Sequence, residues 1–276
     1  MSDQTVTVLA TRDPNCILVQ HHASGISLLV DFAWTSEQVD TLETMLARLG
    51  TSADAIDAVL LTHLHGDHFR EAGLREFLRR RSPAAPKLPL WRHRDEPVPD
   101  PVDMTGFDVR RFDESPFEIT GYGGTLTVVP VRMTHTPGTC GFRIGDDYLG
   151  CDSSLAEVFS KRVLSVLNPS DGGPVRGLFI DMQALDRETV MKSDVTDERK
   201  RNMLKWHGLV SEMVAIMGRP DLREFFGGLE RLVCLHVTPG VNDPTGLTNA
   251  RLISETRDRL AFTFDVPVVP TGIQNV

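Results

Sequence analysis

The sequence predicts an α/β protein, on three observations. Short β-rich runs and helix-period stretches alternate through both halves of the 276-residue chain, the pattern of stacked layers around one core. Hydrophobic residues make up 41% and charged residues 24%, enough apolar side chain to fill a large core without disulfide staples. No internal repeat, low-complexity tract or linker interrupts the pattern, so one domain over residues 1–276 is expected.

The elements follow in order. Thr5–Leu9, Cys16–Gln20 and Ile26–Asp31 are strand-like, separated by the turn residues Asp13-Pro14-Asn15 and Ser24-Gly25, as in antiparallel hairpins. A helix is expected over Ser36–Leu49, with Leu42, Met45, Leu46 and Leu49 on one face and Gly50 as its stop. Ala58–Leu61 is a short buried strand. A second helix is expected at Leu74–Arg80, and then proline-rich loops from Ser82 to Pro101. Strands resume at Val109–Phe112, Phe117–Thr120, Thr125–Val131, Cys140–Ile144 and Tyr148–Cys151. The rest predicts a strand at Gly177–Ile180, a long helix near Glu198–Met217, a strand at Leu232–Leu235 and a helix near Thr248–Leu260.

Charge and cysteine usage narrow the function classes. The 29 Lys and Arg against 38 Asp and Glu leave a formal charge of −9, which argues against a whole-surface grip on long nucleic acid. Cys16, Cys140, Cys151 and Cys234 form no CxxC pair and are expected as reduced, mostly buried thiols. No apolar run approaches the roughly 18 residues of a membrane span. The opening Met-Ser-Asp-Gln-Thr lacks the basic-then-apolar plan of a signal peptide, so the cytoplasm is the expected compartment.

The chemistry is concentrated in Leu61-Thr62-His63-Leu64-His65-Gly66-Asp67-His68, where four metal-competent side chains fall within six residues. Polar groups this crowded after a buried strand need something to neutralise and order them, and a divalent cation does so. His63 and His65, at i and i+2, can point the same way from an extended strand end but not from a helix. Gly66 lets the chain turn and send Asp67 and His68 toward a neighbouring position, which suggests two adjacent metals. Imidazole and carboxylate donors without thiolate suit zinc, with manganese or iron as alternatives.

These residues resemble the signature HxHxDH of the metallo-beta-lactamase superfamily. The resemblance implies an αββα four-layer sandwich with metals at the sheet edge. It also implies three further ligands at strand ends: His135 after Val131-Arg132-Met133-Thr134, Asp152 after Tyr148-Leu149-Gly150-Cys151, and His236 after Leu232-Val233-Cys234-Leu235. One site would then be His63, His65 and His135, the other Asp67, His68 and His236, with Asp152 bridging. Asp31 would be the family's structural acid near the site.

Within the superfamily, His207 in Met203-Leu204-Lys205-Trp206-His207-Gly208 resembles the extra histidine of the phosphodiesterase branch, which includes RNase Z-like enzymes. The competing view is a packing or capping histidine beside the helix stripe of Trp206, Val210, Met213 and Met217. The resemblance implies Asp67 and His207 as catalytic residues. A metal-bridging hydroxide would attack a small, possibly cyclic, phosphodiester while His207 protonates the leaving oxygen. The 17 residues from His135 to Asp152 leave no room for the long insert of tRNA-processing members. A small-molecule substrate is therefore expected rather than long nucleic acid or a membrane, and the resemblance implies a homodimer. The alternatives are a lactone, ester or amide hydrolase with the same metals, or an iron-binding redox protein of the same fold.

Four secondary features remain. Thr62, Thr136 and Ser153 offer hydroxyls beside the ligands, either for substrate or for local caps. The run Arg75, Arg79, Arg80, Arg81, Lys87, Arg92 and Arg94 could steer a phosphate, or could be a solvated face. His21, His22 and His93 have no ligand partners at useful spacing and are expected at the surface or in packing. The densely charged 186–201 stretch is expected as an exposed loop, a candidate lid.

Overall fold

Strand ends and the loops that follow them carry the candidate site. The computed structural model describes residues 3–11, 15–121, 123–169, 173–184, 186–235 and 268–269. It divides into two compact units. Among the described residues the first is built from 3–132 and 136–140, the second from 133–135, 141–235 and 268–269.

The first unit holds a mixed sheet of six strands in sequence order. Strands β1 (Gln4–Thr11), β2 (Asn15–His21) and β3 (Ile26–Val30) run antiparallel. From β3 onward β4 (Ala58–Leu60), β5 (Pro89–His93) and β6 (Asp108–Phe112) are parallel, with Leu29 beside Val59 and Leu60 beside Trp91. β3 and β4 are buried at every position, the apolar run expected of parallel strands covered on both faces. β7 (Phe117–Thr120) and β8 (Thr125–Arg132) form an antiparallel hairpin in the same unit.

Helix α1 (Val39–Arg48) buries Leu42, Met45 and Leu46 of the expected face together with Val39, while Leu49 caps its end, and a single 3₁₀ turn at Ser36–Gln38 precedes it. Helix α2 (Glu71–Arg80) starts three residues earlier than the apolar pattern suggests and buries Gly73, Leu74 and Phe77. A Cβ on Gly73 would lie 1.7 Å from the Trp34 carbonyl oxygen, so only glycine permits this approach of helix to chain. Both helices pack into one apolar cluster with Leu18, Leu29, Phe32, Val59, Leu61 and Leu90.

The second unit begins in β9 (Cys140–Ile144), which pairs antiparallel with β10 (Asp147–Leu149). Parallel neighbours β11 (Gly177–Asp181), β12 (Arg231–Leu235) and β13 (Val268–Val269) complete its mixed sheet. Among the described residues this unit also holds six helices: α3 (Leu155–Val158), α4 (Lys161–Leu167), α5 (Arg187–Lys192), α6 (Asp197–Trp206), α7 (Val210–Met217) and α8 (Arg223–Gly227).

Three expectations need correction. The proline-rich stretch after α2 contains β5. Pro89 is tolerated there because it opens the strand, where a missing N–H matters least, while Leu90 and Arg92 bury. The expected long helix near 198–217 is two helices, because His207 adopts an extended conformation and ends α6. The 186–201 stretch is not a loop: Asp186 accepts the Thr189 N–H at 2.7 Å to start α5, and Thr196 caps α6. The helix expected near Thr248–Leu260 lies outside the described residues.

No helix among the described residues is long and apolar enough to cross a membrane. Cys16, Cys140 and Cys151 are buried free thiols, and burial pushes Cys16 and Cys140 up to about 12. These two are packing residues rather than nucleophiles.

Candidate metal centre

In the first unit the ligand loop leaves the C-terminal end of β4, and the neighbouring strand β3 supplies its anchor. Asp31 follows β3 directly and has φ of +60°, the left-handed region that aspartate tolerates better than bulkier residues. Its Oδ1 accepts the Thr62 N–H at 2.8 Å, and both its oxygens lie within 3.0 Å of the Thr62 hydroxyl. Its Oδ2 accepts from Nδ1 of His68 at 2.7 Å. The structural role implied for Asp31 therefore has a physical content: one buried carboxylate ties the loop to itself at both ends.

These contacts fix imidazole tautomers. With the Nδ1 proton of His68 directed at Asp31, its Nε2 carries the lone pair, and the Asn15 amide Nδ2 sits 3.4 Å from that nitrogen. Thr62 Oγ1 lies 3.1 Å from Nδ1 of His63, so His63 too is set to offer Nε2. That Nε2 is 3.1 Å from Nδ1 of His65, and the His63 and His68 rings are 4.0 Å apart between centroids. Asp67 is half-buried beside them, its Oδ2 4.0 Å from Nε2 of His68. Three crowded imidazoles and a carboxylate, with the Nε2 atoms of His63 and His68 cleared of protons by carboxylate and hydroxyl partners, form a donor set that fits a divalent cation.

Glu96 enters this loop from the next strand. Its Oε1 accepts the N–H of Leu64, the residue between His63 and His65, at 2.5 Å. Glu96 is 4% exposed, and burial pushes its carboxyl up to about 8.

In the second unit His135 Nε2 lies 3.5 Å from Asp152 Oδ2. Asp152 is buried at the end of the β10 segment, and β11 ends in Asp181, which is also buried. Asp181 Oδ2 accepts from Nδ1 of His207 at 2.5 Å, and His207 Nε2 is 4.0 Å from Asp152 Oδ2. Asp152, Asp181 and His207 each offer one donor atom, all within 4.8 Å of one another. Gly208 makes this possible: a Cβ there would meet the Asp181 carbonyl oxygen at 2.3 Å. The break between α6 and α7 thus positions His207 against Asp181. Packing is part of its role as well, since its ring centroid is 5.9 Å from that of His135.

His63, His65, Asp67 and His68 are accordingly gathered in one unit and His135, Asp152 and His207 in the other. His236 lies outside the described residues. Sequence reasoning missed Asp181, Glu96 and Asn15; the signal for Asp181 was present, because Gly177–Asp181 is an apolar run that stops in an acid. The hydroxyls of Thr62, Thr136 and Ser153 are used locally, by Asp31, by Thr139 at 2.6 Å and by the Cys151 carbonyl at 2.9 Å.

Six of the seven residues of the basic run are partnered, and Lys87 is exposed. Arg75 pairs with Glu71 and Asp103, Arg79 and Arg80 with Glu76, and Arg94 with Asp113. Arg81 donates to the carbonyls of Ala53, Ile56 and Pro86, and Arg92 to that of Glu96. Arg81 and Arg92 are buried, so the run is not the uniformly solvated face that was one of the two expectations. His21 and His22 bond Ser24 and Thr5, and buried His93 lies 3.2 Å from an Arg132 guanidinium nitrogen.

The arrangement of candidate ligands after strand ends fits one class. The chain belongs to the metallo-beta-lactamase superfamily, whose family model matches residues 10–151, and the two mixed sheets flanked by helices are that α/β fold. No curated protein matches it in sequence. Among solved structures it is similar to the metallo-beta-lactamase fold protein YhfI from Bacillus subtilis, at 18% identity and a TM-score of 0.61, covering 99% of each chain. It is similar to unliganded yeast PDE1, at 13% identity and a TM-score of 0.62, covering 97% of each. A diphosphatase from the PhnP family matches at 18% identity and a TM-score of 0.56, over 96% of this chain and 94% of that one. At these identities the likeness carries the fold alone.

Proposed function

We propose that the chain is a metal-dependent hydrolase that cleaves a small phosphodiester. The observation that carries this reading is the Asp181–His207 pair at 2.5 Å, with Nε2 of His207 facing Asp152. A buried carboxylate that accepts from Nδ1 fixes the ring, so that when the imidazole carries a second proton, Nε2 is the nitrogen that delivers it. Phosphodiester cleavage needs such a donor at the leaving oxygen. One of the structures that share the fold is named a diphosphatase, so the fold is compatible with phosphoryl chemistry.

The ligands we assign are His63, His65 and His135 to one divalent cation, Asp67, His68 and His236 to the other, and Asp152 to both, with zinc as the expected metal. When bound, such cations supply Lewis acidity and make water a nucleophile at neutral pH. The chain's own residues do the rest. Asp31 and Thr62 hold the His68 and His63 rings with Nε2 as donor, Asp181 holds His207, and His207 delivers the proton. We extend the reading to a cytoplasmic homodimer acting on a small-molecule substrate.

The test is turnover of bis-p-nitrophenyl phosphate and a panel of cyclic nucleotides by zinc- or manganese-loaded protein. Hydrolysis should require metal, and His207→Ala should lower kcat about 10²-fold or more at unchanged metal content. Fully loaded protein that leaves the panel intact would sink the phosphodiester reading; hydrolysis of lactones or esters instead would move the assignment to carbonyl chemistry. An iron-loaded protein with visible absorption and no hydrolysis would point to redox use of the fold.

A further inference from the structure

We infer that Glu96 is a positioning residue for the metal-ligand loop, acting through the backbone of Leu64. The inference rests on the assignment of His63 and His65 as ligands. β4 and β5 are parallel neighbours, and the Leu61 N–H donates to the Trp91 carbonyl at 2.8 Å just past the last paired residue of β4. The two chains then diverge, one into the His63–His68 loop and the other into the turn 94–96. From that turn Glu96 reaches back across the gap and takes the Leu64 N–H at 2.5 Å. Because His63 and His65 flank Leu64, fixing this one amide sets the backbone direction from which both imidazoles depart.

The surroundings hold Glu96 in place for this task. The Glu96 N–H donates to the His93 carbonyl at 3.3 Å, and the Arg92 guanidinium donates to the Glu96 carbonyl at 2.5 Å. On the other side Gly138, at φ of +91°, presses so close that a Cβ there would lie 2.4 Å from the Glu96 Cβ. The residue is nevertheless a poor choice for packing alone. Its Oε2 is buried with no hydrogen-bond partner among the described residues, and a buried carboxyl with one unmatched oxygen is a net cost to the fold. Removing a supporting partner of a metal ligand typically weakens metal affinity 10- to 100-fold, so the cost has a function to set against it.

The experiment compares wild type with Glu96→Gln, Glu96→Asp and Glu96→Ala, using full-length protein titrated with Co²⁺ and, by chelator competition, with Zn²⁺. Glutamine keeps an acceptor oxygen at the same reach and should bind within about threefold of wild type, with the same Co²⁺ ligand-field spectrum. Aspartate keeps the carboxyl group but falls one methylene short of Leu64. It should bind about 10- to 100-fold more weakly, with a shifted spectrum, as should alanine where it folds. Circular dichroism of the metal-free variants separates loss of fold from loss of affinity. Wild-type affinity and spectrum in folded Glu96→Asp would overturn the inference, as would a glutamine variant as defective as alanine. A wild type that binds neither metal would overturn the ligand assignment itself, and is recognised by its flat titration before any variant is compared.

Discussion

Replacing Asp31 by asparagine tests the ligand loop at its anchor. The carboxylate accepts from three donors, the Thr62 N–H, the Thr62 hydroxyl and Nδ1 of His68, and its exposure is 5%. Asparagine tolerates the φ of +60° and has nearly the same shape, so the backbone should persist. Its carbonyl can still serve Thr62, but its amide nitrogen is a donor and cannot accept from His68. Either a buried donor is left unpaired, at about 1–3 kcal/mol, or His68 changes tautomer. In the second case Nδ1 becomes the acceptor and the proton moves to Nε2, the nitrogen proposed to hold metal. Zinc affinity should then fall about 10- to 100-fold, the usual effect of removing such a partner, which is about 1.4–2.8 kcal/mol. Denaturant melts of chelator-treated protein read the stability, and competition with a zinc indicator reads the affinity. A variant that loses stability and keeps wild-type zinc affinity would show that the tautomer of His68 does not govern metal binding.

Two further outcomes follow from the same geometry. Burial holds the Glu96 carboxyl up to about 8 against an ordinary 4.5, so the native state keeps a proton that the unfolded chain gives up. Its contribution is fully present below about pH 4.5 and is lost as pH rises through about 8. Metal-free wild type should therefore lose stability relative to Glu96→Gln across that window, by roughly 1.4 kcal/mol per pH unit at most; a difference that stays flat with pH in paired urea melts would refute this. Gly73→Ala puts a methyl group 1.7 Å from the Trp34 carbonyl. Since the obstacle is backbone, the cost should reach or exceed the roughly 1–3 kcal/mol of ordinary overpacking. Calorimetry should show the thermal midpoint several degrees lower, and an unchanged midpoint would contradict the packing described.

Much of the site was legible because its pattern is local. His63, His65, Asp67 and His68 are neighbours in the chain, and spacing after a strand is enough to show that they can share a cation. The same holds for the strands themselves: Phe117–Thr120 and Cys140–Ile144 fall where their β-rich composition places them. The elements that were misjudged are those in which a local preference was overruled. Pro89 reads as loop but opens a strand held by parallel partners on both sides. The 198–217 stretch reads as one helix but breaks at His207, where close contact with Asp181 requires Gly208.

The sequence by itself determined the fold class, the superfamily and the donor types, since these follow from periodicity and from residues adjacent along the chain. Only the tertiary structure decided what orients those donors. Asp31 reaches Thr62 and His68 across 31 and 37 residues, Glu96 reaches Leu64 across 32, and Asp181 reaches His207 across 26. Asp31 and Glu96 leave strands that lie beside β4 in the parallel part of a mixed sheet, and Asp181 ends a strand that Gly208 allows His207 to approach. Parallel pairing brings strand ends together whatever the length of chain between them, so no spacing in the sequence records which acid will face which histidine.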